Sequence, residues 1–365
     1  MALEEVLARI REAARAGTPV RIRGGGSKDF YGEPSREGEE LSTLSLAGIR
    51  SYEPSELVVT AGAGTRLAEL EDVLAQKGQC LPFEPPHFLS DGPSRATVGG
   101  MIASGLSGPA RASAGPVRDY VLGMTMINGR GELLTFGGQV MKNVAGYDVS
   151  RLMVGAMGIL GLVVELSLKV LPFAPAEATL KFGMSQAEAL RRLNEWGGQP
   201  LPLNASCWVE DQGRGVLYLR LRGAVAAVEA ACRALGGECQ RNEDVAADWA
   251  ACRDLRLPWF TERGDRDLWR VSVPQTAPVL DLPEAPLIEW HGASRWVRAR
   301  SSDAARIREE AARAGGHAQL FIAADPRATH RFAPLSPPLD RIHRELKREF
   351  DPAGIFNRGR LYPDL

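Results

Sequence analysis

Two glycine-bearing segments constrain this chain more than anything else in it. They are Arg23-Gly24-Gly25-Gly26-Ser27-Lys28 and, about seventy residues later, Thr97-Val98-Gly99-Gly100. A run without side chains lets the main chain approach a ligand closely. Successive N–H groups in such turns form concave nests that hold anions. Two such bends in one region predict the two halves of a single cradle for a diphosphate-linked cofactor.

The bulk numbers leave room for that reading and close off others. A length of 365 residues implies two domains, and 44% hydrophobic with 24% charged residues is ordinary for a globular protein. The formal charge of −1 provides no global field for nucleic acid or an acidic membrane, so neither is expected as a partner. Five cysteines (80, 207, 232, 239 and 252) without a C-x-x-C exclude a secreted disulfide framework and an iron–sulfur cluster held by this chain alone. No metal site is expected. Glu4, Glu5, Arg9, Arg11 and Glu12 occupy the place where a signal peptide needs an apolar core. Leu3, Val6, Leu7, Ile10 and Ala14 instead form a helical stripe stopped by Gly17. No apolar run has membrane-spanning length, and a cytoplasmic protein is expected.

Along the chain, residues 1–172 are glycine-rich. Strands are predicted at 19–23 and 57–61, a helix at 67–77, a hairpin through Asn128-Gly129-Arg130-Gly131, and a long β run at 162–171. Composition changes after Pro172. Ser185 and Glu188 form a capping box before a helix at 189–196. Strands are predicted at 216–222, 286–290, 295–300 and 317–322, with helices at 223–235 and 303–314, so this part reads as a compact α+β domain with an antiparallel sheet. Leu339, Ile342, Leu346 and Phe350 mark a last helix that ends at Asp351-Pro352, with Arg341 to Arg348 on its solvated face.

The best match to a nicotinamide fingerprint is Gly62-Ala63-Gly64-Thr65-Arg66-Leu67. Leu67 replaces the glycine that permits close helix–strand packing, so an ordinary strand–turn–helix is the better reading. The glycine-dense run from Gly92 to Gly115, interleaved with apolar residues, instead points to recognition of a ligand by backbone groups.

At this point a family resemblance emerges. The chain resembles the vanillyl-alcohol oxidase superfamily of flavoproteins, whose FAD-binding domain is called PCMH-type. The shared pattern is residues 23–28, Thr97-Val98-Gly99-Gly100, Gly115, Arg118 to Gly123, Lys142-Asn143-Val144-Ala145-Gly146-Tyr147-Asp148, Gly158-Ile159-Leu160-Gly161-Leu162-Val163, and the tail Phe350 to Arg360. Within it, the chain resembles the smaller FAD-binding (E) subunit of bacterial glycolate oxidase, through Leu81-Pro82-Phe83-Glu84-Pro85-Pro86 and Gly315 to Phe321. Arg358 departs from that pattern, which has proline there.

The resemblance implies an α+β fold: a PCMH-type, two-subdomain FAD-binding domain at 1–172, a small α+β cap at 173–335, and a return segment at 336–365. It implies non-covalent FAD, because no histidine precedes His87 to form a covalent link in the first loop. Gly24, Gly25, Gly26, Ser27 and Lys28 would hold the diphosphate, with Thr97, Gly99, Gly100 and Gly105 on its other side. Arg111, Gly115 and Arg118 would complete the cradle. Gly158 and Gly161 would bring the Val163 backbone to the cofactor, and Asn357 and Arg360 would reach the flavin end. A cation there favours the reduced, anionic flavin.

The implied reaction is oxidation of glycolate, or a short 2-hydroxy acid such as D-lactate, to the 2-oxo acid. The implied partners are a larger FAD-binding 2-hydroxy-acid dehydrogenase subunit and an iron–sulfur subunit, with any membrane association coming through them. The H-x-G-D-G-N-x-H and G-E-H-G motifs of the larger subunit have no counterpart among His87, His291, His317, His330 and His343. No catalytic residue is assigned. Lys142, Tyr147 and His317 are the candidates, with His291 and Asp148 behind them. A non-catalytic assembly subunit and a stand-alone flavin oxidoreductase stay open as alternatives.

Overall fold

The computed structural model of the chain describes residues 3–34, 38–88, 92–138, 148–211 and 213–365. They form two compact units. The first comprises Met1–Leu106, Pro116–Pro172 and Pro326–Leu365, and the second Ser107–Gly115 and Phe173–Asp325.

In the first unit, β1 (Val20–Arg23) pairs in parallel with β2 (Glu39–Ser42). Strands β3 (Ile49–Glu53) and β4 (Val58–Gly62) enter a five-stranded antiparallel sheet, and β5 (Gln79–Cys80) lies outside it. The sheet is completed by β6 (Val121–Ile127), β7 (Leu133–Gly137) and β8 (Leu162–Lys169), in the order β3-β4-β8-β6-β7. The two-residue β9 (Leu171–Pro172) pairs with β5. The hairpin read at Asn128-Gly129 is the β6–β7 turn. Asn128 Oδ1 accepts from the N–H groups of Arg130 and Glu132, each at 3.0 Å, which is how Asn closes a tight turn. In the sheet centre, Thr60 and Ser167 stand opposite each other and share a buried 2.8 Å hydrogen bond.

Helices cover this sheet through matched apolar stripes. Helix α1 (Leu3–Ala16) buries Val6, Leu7 and Ile10 against Val20, Leu41, Ile127, Leu162, Ile355 and Phe356. Helix α2 (Leu67–Ala75) buries Leu67, Leu70 and Leu74, and α3 (Val98–Ser104) buries Val98, Met101 and Ile102, in one cluster with Val59, Leu166 and Leu168. Each fully buried Leu or Ile contributes roughly 1.5–3 kcal/mol from water exclusion.

The last helix, Pro337–Phe350, departs from its sequence reading. Leu339 and Ile342 of the predicted apolar stripe are 48% and 45% exposed, while Lys347 is buried. Burial there follows polar demand. Lys347 Nζ donates to the Ile159 carbonyl (2.7 Å), the Asp351 carboxylate (2.7 Å) and the Phe356 carbonyl (2.9 Å). Asp351 in turn accepts from the N–H groups of Ile355 and Phe356, so the tail is gathered around one ion pair. Burial lowers the Lys347 pKa from its usual range, with Asp351 opposing the shift.

The second unit holds an eight-stranded antiparallel sheet. Its strands are β10 (Ala176–Gly183), β11 (Leu203–Asp211), β12 (Arg214–Gly223), β13 (Glu238–Gln240), β14 (Asp267–Ser272), β15 (Leu287–Glu289), β16 (Ser294–Ala299) and β17 (His317–Ile322). Their order is β13-β10-β12-β11-β15-β16-β14-β17. The helix Gln186–Gly197 starts at the predicted cap, where Ser185 Oγ accepts from the Glu188 N–H. Its Leu190, Leu193 and Trp196 pack with Trp208, Leu217 and Leu219 of the sheet.

Candidate cofactor-binding site

The glycine loop leaves the end of β1, and that strand is held on both edges. On one edge β2 pairs with it. On the other, the Val20 N–H donates to the Ile355 carbonyl (2.7 Å) and the Asn357 N–H donates to the Val20 carbonyl (2.9 Å). The Asn357 side chain extends this seam. Its Oδ1 accepts from the Ile22 N–H at 2.7 Å, and its Nδ2 donates to the Met157 carbonyl at 2.7 Å. Asn357 has φ of 41°, a left-handed conformation that Asn tolerates better than most residues.

The two glycine segments meet. A Cβ on Gly24 would lie 2.5 Å from Thr97 Oγ1, and one on Gly25 would lie 1.5 Å from the Arg95 carbonyl oxygen. Arg66 Nη1 donates to that same carbonyl at 2.8 Å. Thr97 caps α3, its Oγ1 accepting from the Gly100 N–H at 3.2 Å. Gly99 packs on Ala63, where a Cβ would come within 2.8 Å of the alanine methyl.

Between these segments lies a cavity of about 470 Å³, within the range of small-molecule sites. Of the residues singled out from the sequence, Gly24, Gly25, Gly26, Ser27, Lys28, Thr97, Gly99, Gly100, Gly158, Gly161, Val163, Asn357 and Arg360 line it. The others stand elsewhere. Gly105 ends α3 with φ of 63°, and Arg118 is exposed on the short turn Val117–Tyr120. Arg111 and Gly115 belong to the second unit, where the Arg111 guanidinium lies 4.6 Å from the Trp290 ring centroid. His317 is exposed at the start of β17. Lys142 and Tyr147 lie outside the described residues. Asp148 caps the helix Val149–Leu152, accepting from the Arg151 N–H. His291 is buried in the second unit between Ser206 and Ser113, whose hydroxyls meet Nδ1 at 3.2 Å and Nε2 at 3.0 Å.

The cavity wall is rich in donors. The backbone N–H groups of Gly24, Gly25, Gly26 and Ser27 have no acceptor among the described residues. The Arg21 Nε is likewise buried without a partner there. Arg21, missed from the sequence, reaches the wall because alternation along β1 places it on the same side as Arg23. Arg21 and Arg23 pair with Glu40, at 2.9 and 3.4 Å. Arg23 also hydrogen-bonds Asp29, which raises its pKa further. Arg360 donates to the carbonyls of Glu33 (2.6 Å), Lys28 (3.3 Å) and Asp29 (3.0 Å), tying the tail to the glycine loop. Its burial lowers its pKa. Unsatisfied N–H groups beside guanidinium groups and a lysine fit a bound diphosphate, which supplies the missing acceptors.

Comparison with known proteins places the chain in an FAD-binding family. Residues 2–137 match the FAD binding domain family. The chain is 45% identical over 362 residues to the glycolate oxidase subunit GlcE of Escherichia coli (strain K12), covering 99% of this chain and 98% of that protein. It is 35% identical over 170 residues to a D-lactate dehydrogenase of Archaeoglobus fulgidus, covering 46% of this chain and 37% of that one. Over 163 residues it is 30% identical to the glycolate oxidase subunit GlcD of Bacillus subtilis (strain 168), covering 44% and 34%. Among solved structures, an alkyldihydroxyacetonephosphate synthase superposes with a TM-score of 0.66 at 16% identity, over 97% of this chain and 75% of that one. The shared fold is the α+β, PCMH-type FAD-binding fold, and FAD is the cofactor whose diphosphate the cradle fits.

Proposed function

Because this chain belongs to the family of the glycolate oxidase subunit GlcE, we propose that it is the FAD-bearing subunit of a complex that oxidises glycolate, or a short 2-hydroxy acid such as D-lactate, to the 2-oxo acid. The observation that carries this reading is the contact between the two glycine segments, with four residues lining one cavity whose N–H groups have no acceptor among the described residues. In this reading Gly24, Gly25, Gly26 and Ser27 hold the diphosphate by backbone donation. Lys28 and Arg21 add positive charge, Thr97 and Gly100 form the facing wall, and Gly158, Gly161 and Val163 bring backbone to the cofactor without a side chain between. Asn357 and Arg360, which also line the cavity, brace the cradle through hydrogen bonds to the backbone of Ile22, Met157, Lys28, Asp29 and Glu33. The chemistry that bound FAD supplies is acceptance of two electrons from the carbinol carbon of the substrate.

The reaction needs a proton acceptor for the substrate hydroxyl. No histidine or tyrosine stands among the described residues of the cavity wall, the lysine and arginines there are donors, and the carboxylate of Asp29 is paired with Arg23. That supports a division of labour: this subunit holds flavin, a larger FAD-binding dehydrogenase subunit works on the substrate, and an iron–sulfur subunit carries electrons away. No helix among the described residues is long and apolar enough to cross a membrane, so membrane association would come through those partners.

The test is direct. The chain purified alone shows the visible bands of bound flavin, which acid precipitation releases as FAD. Glycolate or D-lactate added without oxygen leaves those bands in place until the larger subunit is supplied. Absence of flavin from the purified chain would overturn the cofactor assignment, and bleaching by the chain alone would overturn the division of labour.

A further inference from the structure

The segment between the two halves of the cradle contains a hydrogen-bonded relay that the cavity wall does not include. His87 is 5% exposed. Its Nε2 stands 2.8 Å from Glu71 Oε2, and its Nδ1 stands 2.7 Å from Ser94 Oγ. A carboxylate only accepts, so in the neutral ring Nε2 carries the proton and donates to Glu71. Nδ1 is then the acceptor, and the Ser94 hydroxyl donates to it. Ser94 Oγ accepts in turn from the Ala96 N–H at 3.3 Å. The line therefore runs from the Ala96 N–H through Ser94 and His87 to Glu71 on α2, with every donor pointing the same way.

The line borders the cradle at Ser94 and, through the chain neighbour of His87, at Phe88. On one side Ser94 precedes Arg95, whose carbonyl oxygen occupies the space beside Gly25, and Thr97, which lines the cavity. The Ala96 carbonyl accepts from the Leu67 N–H at 2.9 Å, which ties the same segment to the start of α2. On the other side is Phe88, with φ of 49°, a left-handed conformation that is strained for a bulky side chain. The strained turn places the Phe88 ring against the first glycine loop. Lys28 Nζ lies 5.6 Å from the ring centroid, and Phe30 meets the ring edge-on at 5.1 Å. His87 thus sits where one residue braces both halves.

We propose that His87 is a positioning residue for FAD: with Ser94 and Glu71 it fixes the separation of the two glycine segments, and so sets how tightly this subunit holds its flavin. The proposal rests on the reading of the cavity as the FAD site. His87 stands outside the cavity wall and acts through Ser94 and Phe88.

The experiment is a fluorescence titration of the apo-protein with FAD, for the wild type and for Ser94→Ala, His87→Ala and Glu71→Gln, alongside thermal unfolding of each apo form. Ser94→Ala and His87→Ala are expected to weaken FAD binding by about tenfold or more, equivalent to about 1.4 kcal/mol. Glu71→Gln keeps an acceptor oxygen for Nε2–H and is expected to stay within about threefold of wild type. The apo unfolding midpoint of Ser94→Ala stays at the wild-type value, which separates positioning from general support of the fold. If His87→Ala does not fold, Ser94→Ala decides alone. Wild-type affinity in Ser94→Ala overturns the positioning role and leaves the cofactor site standing. Failure of the wild type to bind FAD overturns the site itself.

Discussion

The carbonyl oxygen of Arg95 fills the place that a side chain on Gly25 would take, 1.5 Å from the position of its Cβ. The glycine is therefore demanded by the opposite half of the cradle as well as by the ligand. Gly25→Ala is expected to push residues 93–97 away and to lower flavin content at least tenfold. Gly25→Asp adds a carboxylate beside a diphosphate and should remove flavin altogether. Gly183, where a Cβ meets nothing within 4 Å, serves as the control, and Gly183→Ala should retain full flavin. The ratio of flavin to protein absorbance reads the outcome. Full flavin in Gly25→Ala would mean the two segments separate without cost.

Asn357 joins β1 to the 157 turn through both ends of its amide. Asn357→Ala leaves the Ile22 N–H and the Met157 carbonyl without those partners, a loss of about 2 kcal/mol. Asn357→Asp keeps the acceptor for Ile22 and loses only the donor to Met157, so its unfolding midpoint in urea should fall between the other two. A midpoint for Asn357→Ala at the wild-type value would show that the seam holds without the side chain.

Lys347 satisfies two buried carbonyls and one buried carboxylate at once. Lys347→Met keeps the aliphatic stem and removes the charge, leaving Asp351 uncompensated in the interior. Breaking such a pair costs about 3–5 kcal/mol. Because the ion pair gathers residues 351–356, cleavage of the tail by a protease should accelerate along with the loss of stability. Equal cleavage rates in the two proteins would refute that link.

Burial pushes the pKa of His291 down to about 4 from 6.5. The folded chain keeps the ring neutral, whereas the unfolded chain takes up a proton near 6.5. Protons therefore favour the unfolded state between those values. Stability should hold above about pH 6.5 and fall as pH drops towards 4, by an amount on the order of 3 kcal/mol. Asn suits the left-handed backbone of this position, where φ is 55°. His291→Asn should therefore flatten the acid limb of a stability–pH curve, and an unchanged slope would place the titrating group elsewhere.

The cradle was legible because glycine carries backbone information that does not depend on neighbours. Gly24 to Gly26, Gly99 and Gly100 could be paired across seventy-odd residues on chemistry alone, and in the structure they line one cavity, with Gly24 beside Thr97 and Gly25 beside the Arg95 carbonyl. Asn128-Gly129 and Ser185 likewise announce a turn and a cap through their own short-range bonds. What stayed hidden depends on distant partners. Arg111 and Gly115 sit in the same glycine-dense run as Gly99, yet they pack in the other unit, and nothing local signals where the chain changes allegiance. Strand β14 begins with Asp267, whose carboxylate accepts from Ser301 Oγ and the Ala324 N–H. Its charges mask the alternation that marks a strand. Lys347 reads as a solvated lysine until Asp351, Ile159 and Phe356 surround it. His87 carries no motif, and its role emerges only when Glu71 and Ser94 are placed on either side.

The seam between Ile22 and Asn357 joins residues 335 positions apart, and this imposes an order on synthesis. A growing chain can finish the five-stranded sheet long before residues 355–360 leave the ribosome. Until they do, β1 lacks the neighbour on its second edge and the glycine loop lacks its arginine tether. Flavin loading is thereby expected to wait for residues 355–360, so a chain cut before residue 355 should carry no flavin.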